Sequence, residues 1–238
     1  MTGGSSTMKT SRLILLRHGQ SLYNKENLFT GWTDIDLSDQ GVEEAKRAGN
    51  ILKGQGIYPD ICFTSWLKRA IHTAQLALRE LEWEHINCIK SWKLNERHYG
   101  AWQERDKKAV KREVGDDHFI AVRRGYDTPP PLLEDGDPRL AQNDPKYRNV
   151  EPELLPRGES LKDTKRRALN YFFCMIAPEL TRGKTALVSA HGNSLRALVM
   201  AIEKLSPEEI VTREFPTGKP IIYLFDETLH LQKKVTNL

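Results

Sequence analysis

Residues 13–21 read LILLRHGQS, four aliphatic side chains running straight into Arg17, His18 and Gly19. A short apolar run closed by a turn residue has the pattern of a buried strand. An arginine and a histidine at its exit then stand on the carboxyl edge of a sheet, where open α/β sheets bind their ligands. On this stretch alone, a structural histidine beside a surface arginine accounts for the pattern as readily, because three residues make a weak motif.

Working outward, strand-like runs recur at residues 61–65 (ICFTS), 185–191 (TALVSAH) and 221–226 (IIYLFD). Helical patterns separate them. Residues 37–52 carry a cap at Ser38 and place Val42, Ala45, Ala48 and Ile51/Leu52 at helical spacing. Residues 67–81 repeat the pattern at Ala70, Ala74, Leu78 and Leu81, and residues 159–176 and 193–205 follow later. Strands alternating with helices predict an α/β fold, with a mostly parallel central sheet flanked by helices on both faces. Residues 129–156 hold seven of the twelve prolines, which break both ladders and helices. With the charged, helical-looking residues 104–125 before them, they predict an insertion over about 104–156 that covers the active site. The expected organisation is a disordered tail over residues 1–10 and one α/β domain over 11–238.

The 238 residues are 39% hydrophobic and 29% charged, ordinary for a soluble globular chain able to bury a core. No apolar run reaches the length of a membrane span, and the opening MTGGSST does not read as a secretion signal. Cys62, Cys88 and Cys174 are odd in number and lack metal-ligand spacing. They read as buried free thiols of a reducing compartment, so the expected location is cytoplasmic. The net charge of +4 suits a small anionic substrate without demanding one. Acidic residues interrupt the basic run KKAVKR, which reads as a solvated helix face and not as a nucleic-acid patch.

A second strand exit changes the reading of the first. TALVSAH ends in His191 and Gly192 with a helix beginning near Asn193, so two strands deliver a histidine to one edge beside a helix N-terminus, a natural phosphate site. A third exit brings Thr64 and Ser65, with Arg69 on the following helix. Two histidines and two arginines at one edge suit phosphoryl transfer to histidine: a neutral imidazole attacks, and forked guanidinium groups take up the charge spread over the phosphoryl oxygens. A second, protonated histidine adds a donor. A substrate hydroxyl also needs a general acid or base, and Glu96 in KLNERHYGAW is the candidate.

These stretches resemble the cofactor-dependent phosphoglycerate mutases of the histidine phosphatase superfamily over about residues 11–230. The resemblance rests on LLRHGQSLYNKENLFTGWTDIDLSDQG, TSWLKRAIHTA, LNERHYGAWQ, VRRGYDTPPP, GESLKDT, SAHGNSLRALV and PTGKPIIY. It implies that His18 is phosphorylated, that Glu96 donates and accepts the proton, and that His191, Arg17 and Arg69 stabilise the phosphoryl group in flight. It further implies substrate contacts at Arg17, Ser21, Asn24, Thr30, Gly31, Arg69, Glu96, Tyr99, Lys107, Arg123, Arg124, Gly192 and Asn193. The implied reaction interconverts 3-phosphoglycerate and 2-phosphoglycerate, in glycolysis and gluconeogenesis. The implied primer is 2,3-bisphosphoglycerate, with no metal, and a bisphosphoglycerate synthase or phosphatase using the same phosphohistidine is the alternative. A degenerate, purely binding relative comes last, because both histidines and Glu96 are present. The expected partners are small-molecule phosphoglycerates, with no nucleic acid and no membrane, and the expected assembly is a homo-oligomer, a dimer. One departure stands out: where the family often has QGxNK, this chain has QERDK, so Glu104, Arg105 and Asp106 precede Lys107.

Overall fold

β1 (Ser11–Arg17) divides its side chains between two cores. Leu13 and Leu15 pack on one face with Phe63, Val188 and Leu198, while Ile14 and Leu16 pack on the other with Ala48, Leu52, Ala74 and Leu78. Strands covered on both faces read as continuous apolar runs, which is why LILL shows no alternation. The computed structural model describes residues 10–236. Apart from Thr10, the expected N-terminal tail lies outside the described residues.

The remaining strands are β2 (Ile61–Thr64), β3 (Cys88–Lys90), β4 (Thr185–Ala190), β5 (Pro220–Phe225) and β6 (Leu231–Val235), in the order β3-β2-β4-β1-β5-β6. The first four neighbours run parallel, and β5 runs antiparallel to both β1 and β6. The mostly parallel sheet is therefore as expected. β6 has no counterpart among the sequence runs: three of its five residues, LQK, are exposed, and a polar edge strand carries little apolar signal.

Helices α1 (Leu22–Lys25), α2 (Asp39–Gly54), α3 (Lys68–Glu80), α4 (Lys107–Val114), α5 (Asp116–Arg124), α6 (Leu161–Tyr171), α7 (Ala177–Thr181), α8 (Gly192–Ile202) and α9 (Pro207–Val211) complete the order. α2 and α3 cover one face of the sheet, and α6, α7 and α8 the other. Ser38 caps α2 as its position predicts, its hydroxyl accepting from the Gly41 N–H at 3.2 Å.

Three expectations need correction. Residues 104–125 are two helices, broken where Gly115 takes φ +82°, a conformation that ends a helix. Residues 159–176 are not one α-helix: after α6 the chain widens into a π-helical turn over Phe172–Ile176 before α7. That turn keeps Phe172 and Ile176 in the core and turns Phe173 and Cys174 outward, so Cys174 is an exposed thiol and not a buried one; Cys62 is buried and Cys88 half-buried.

The insertion also divides. α4 and α5 reach the carboxyl edge of the sheet through Lys107, Arg123 and Arg124, whereas residues 129–156 do not line the cavity there. Pro131 instead supports the loop behind it, its carbonyl accepting from the Ala101 N–H at 2.8 Å, and Tyr147 packs on Trp32.

Candidate active site

The exits of β1 and β4 are bonded to each other, the His18 N–H donating to the Ala190 carbonyl at 3.0 Å. Consequently the rings of His18 and His191 stand 5.0 Å apart, though 173 positions separate them in the chain. The turn after His18 is pressed against the start of α2: a Cβ on Gly19 would lie 2.1 Å from the Gly41 carbonyl oxygen, so neither position has room for a side chain.

His18 Nδ1 lies 2.7 Å from the Gly19 carbonyl, which can only accept. Nδ1 therefore carries the proton, and Nε2 holds its lone pair with no partner among the described residues. Burial, with the charges of Arg69 and Arg17, holds the His18 imidazole well below its usual pKa, so it is neutral near pH 7. His191 is likewise pushed well below its usual range by burial and by Arg69, which corrects the expectation of a protonated second histidine. Its Nε2 lies 2.7 Å from the Ser65 hydroxyl, and its Nδ1 is buried without a hydrogen-bond partner among the described residues. With the Ser65 hydroxyl donating to Nε2, Nδ1–H becomes a neutral donor left for a ligand.

Arg17 and Arg69 are held by carbonyls. Arg17 Nη1 donates to Phe215 O at 2.7 Å, and Arg69 donates to Gly31 O at 2.8 Å and Thr33 O at 3.0 Å. Each keeps a buried Nε–H with no acceptor among the described residues. Unmet buried donors are costly, and two of them on arginines that line one cavity with His18 describe a site built to receive an anion. Gly31 adopts φ +51°, where a Cβ would meet the Gln103 side chain at 2.1 Å.

Glu96 Oε1 accepts from the backbone N–H groups of Arg97 (2.8 Å) and Asn193 (3.0 Å), the latter at the N-terminus of α8. A Cβ on Gly192 would lie 3.6 Å from Arg17 Nε and 3.7 Å from Glu96 Oε2. The second carboxylate oxygen and the arginine thus face the same point. Tyr99 OH accepts from Arg97 (2.9 Å) and Asn193 (3.2 Å).

A cavity of about 160 Å³ opens here. Its walls include Arg17, His18, Asn24, Thr30, Gly31, Arg69, Glu96, Tyr99, Lys107, Arg123, Arg124, Gly192 and Asn193. Two expected residues stand outside the wall. His191 stands beside His18 but is not among the wall residues, and Ser21 caps α1, accepting from the Asn24 N–H at 3.1 Å while its own N–H holds Asn24 Oδ1. The sequence reading missed Phe29, Arg196, Arg213, Glu214 and Phe215, which also line the cavity. Arg196 follows Asn193 by one turn of α8, a spacing that marks it as a neighbour. Residues 213–215 carry no local signal, because only the return of the chain toward β5 brings them here.

The departure ahead of Lys107 is absorbed locally. Asp106 caps α4, accepting from the Ala109 N–H at 2.7 Å; Arg105 pairs with Glu113; and Glu104 accepts from Thr33 Oγ1 at 3.2 Å. Neither carboxylate 104 nor 106 lines the cavity, and Lys107 does. Burial, with Arg123 and Arg17 nearby, brings the Lys107 ammonium down to about 8.

The histidine phosphatase superfamily (branch 1) profile matches residues 13–139. A relative from Treponema denticola named 2,3-bisphosphoglycerate-dependent phosphoglycerate mutase is 50% identical, covering 94% of this chain and 90% of its own. This chain belongs to the histidine phosphatase superfamily. Within that superfamily it falls among the 2,3-bisphosphoglycerate-dependent phosphoglycerate mutases, since a relative of that name from Nautilia profundicola is 49% identical over 96% of this chain and 99% of its own. Among solved structures, a phosphoglycerate mutase from Bacillus anthracis matches with a TM-score of 0.68 at 18% identity, covering 97% of this chain and 92% of its own. A mycobacterial glucosyl-3-phosphoglycerate phosphatase matches at 0.71 and 21%, covering 95% and 97%. At those identities the superfamily members share the fold alone. Among the described residues no group of three or more His, Cys, Asp or Glu could hold a metal, and no helix is long and apolar enough to cross a membrane.

Proposed function

We propose that this protein interconverts 3-phosphoglycerate and 2-phosphoglycerate through a phosphohistidine at His18. The observation that carries the reading is the neutral His18 with its free Nε2 beside the unmet Nε–H donors of Arg17 and Arg69. 2,3-Bisphosphoglycerate supplies the phosphoryl group that charges His18, and the unmet donors of Arg17 and Arg69 fit such a polyanion. Nε2 attacks phosphorus in line as the P–O bond to the substrate oxygen breaks and that oxygen takes a proton from Glu96. The reverse transfer returns the phosphoryl group to the other hydroxyl as Glu96 takes its proton back. The Gly19 carbonyl holds the Nδ1 proton and steadies the imidazolium that develops. Arg17, Arg69 and His191 Nδ1–H meet the oxygens as charge spreads over them. Glu96 Oε2 moves the proton of the substrate hydroxyl, while Oε1 stays on its two N–H groups. Lys107, Arg123 and Arg124 hold the far end of the substrate, with Asn24, Thr30, Gly31, Tyr99, Gly192 and Asn193 around it. Ser21 acts through Asn24.

The same reading takes residues 11–238 as one domain with an insertion at about 104–156. It places the protein in the cytoplasm, a location the three free thiols support. It takes the assembly as a homodimer, for which β3, one of the two outer strands, offers an edge unpaired among the described residues. The decisive experiment incubates the enzyme with 3-phosphoglycerate and a trace of 2,3-bisphosphoglycerate. Formation of 2-phosphoglycerate and release of inorganic phosphate are then read separately. Isomerisation is expected to exceed release, and His18→Ala to abolish both acid-labile protein labelling and isomerisation. Faster release than isomerisation would put the phosphatase reading in its place.

A further inference from the structure

Glu96 lies on a stretch without regular structure, residues 95–99, between 3₁₀ turns at Trp92–Leu94 and Gly100–Trp102. A proton relay needs placement to a fraction of an ångström, and an unsupported loop does not give it. Support comes from α6. Arg167 donates Nε and Nη2 to the two oxygens of Glu159, each at 2.7 Å. Its other three N–H groups go to the carbonyls of Lys93 (2.9 Å), Asn95 (2.9 Å) and Glu96 (2.8 Å). Glu159 in turn accepts from the His98 N–H at 2.8 Å, and the Trp32 indole N–H donates to the same Glu96 carbonyl at 2.6 Å.

All five donors of Arg167 are therefore used, unlike those of Arg17 and Arg69. A buried ion pair is a poor source of stability, since apolar side chains of similar volume do as well. What they cannot do is grip the carbonyls of Lys93, Asn95 and Glu96 with one planar fork while a carboxylate closes its other side. We propose that Arg167 and Glu159 are positioning residues for proton transfer, fixing the peptide plane of Glu96 so that Oε2 meets the substrate hydroxyl. Trp32 completes the grip. The proposal rests on the functional reading above.

The test compares Arg167→Lys and Trp32→Phe with the unmodified enzyme. Each is assayed for kcat and KM of isomerisation, for phosphorylation of His18 by 4-nitrophenyl phosphate, and for thermal unfolding. The aryl leaving group departs without a proton, so that reaction does not need Glu96. Arg167→Lys keeps the charge and loses the fork. It is expected to lower kcat about tenfold or more, leaving KM and aryl transfer within about threefold. Trp32→Phe removes one donor to the Glu96 carbonyl and leaves the ion pair, so a kcat loss of about threefold is expected with aryl transfer unchanged. Proportionate loss of both reactions, or an unchanged kcat in a folded variant, overturns the proposal. Should Arg167→Lys not fold, Trp32→Phe decides by the same criterion. An unmodified enzyme that forms no phosphohistidine from either donor overturns the functional reading itself, an outcome distinct from a variant that loses both reactions.

Discussion

Arginine serves two opposite purposes around one carboxylate. Arg17 and Arg69 keep a buried N–H unmet, while Arg167 has none to spare. The first pair was legible in the sequence because each follows a strand exit. Arg167 was not, since a charged residue on a helix reads as solvated until its partners are known. Lys107 gives a prediction at this scale. Its ammonium titrates at about 8 in the free enzyme, lowered by burial and by Arg123 and Arg17. Below that pH it is charged and attracts the anion; above it the charge is lost. Since kcat/KM reports the free enzyme, kcat/KM for phosphoglycerate should decline as pH rises through about 8. Lys107→Arg, always charged, should shift that decline well upward. A pH profile of both proteins, with an identical decline in each, would remove Lys107 from the anion site.

Elements that are covered on both sides were the readable ones. LILL, ICFT and TALVSA are apolar because helices lie above and below them, and Ala45, Ala48 and Leu52 repeat because one face of α2 meets the sheet. The π-helical turn at Phe172–Ile176 was unreadable for a related reason: apolar residues fill it, and whether three of them face out depends on the backbone's extra width. Contact between elements shows most sharply at the start of α2, where a Cβ on Gly41 would lie 2.0 Å from the Gln20 carbonyl oxygen. Gly41→Ala should therefore push the His18 turn and α2 apart, costing about 2 kcal/mol or more. Alanine ordinarily stabilises a helix relative to glycine, so the sign is diagnostic. Urea unfolding of the variant, with a midpoint at or above that of the unmodified protein, would mean that the contact yields freely.

At the scale of the whole molecule, charge is gathered and not spread. The cavity holds seven cationic side chains, Arg17, Arg69, Lys107, Arg123, Arg124, Arg196 and Arg213, against the carboxylates Glu96 and Glu214. That excess is larger than the net +4 of the entire chain, so composition alone understated the site. Field lines concentrated in a cleft steer anions and are screened within about 10 Å at 0.1 M salt. Accordingly kcat/KM should fall severalfold between dilute buffer and about 0.5 M potassium chloride, with kcat much less affected. Because arginines provide the charge that a divalent ion provides elsewhere, EDTA should leave the rate unchanged. Loss of activity in EDTA, restored by added metal, would contradict this account. The position of β4 between β1 and β2 has a consequence of another kind. A ribosome delivers β1 and β2 more than a hundred residues before the strand that joins them. Until then both carry open edges, and Leu13, Leu15 and Phe63 lack the Val188 against which they finally pack. Long-range closure of this sort is slow, and here it coincides with the arrival of His191 beside His18. The nascent chain therefore holds two unjoined apolar edges while more than a hundred further residues are made, and the strand that closes the gap is the same one that sets the second histidine beside the first.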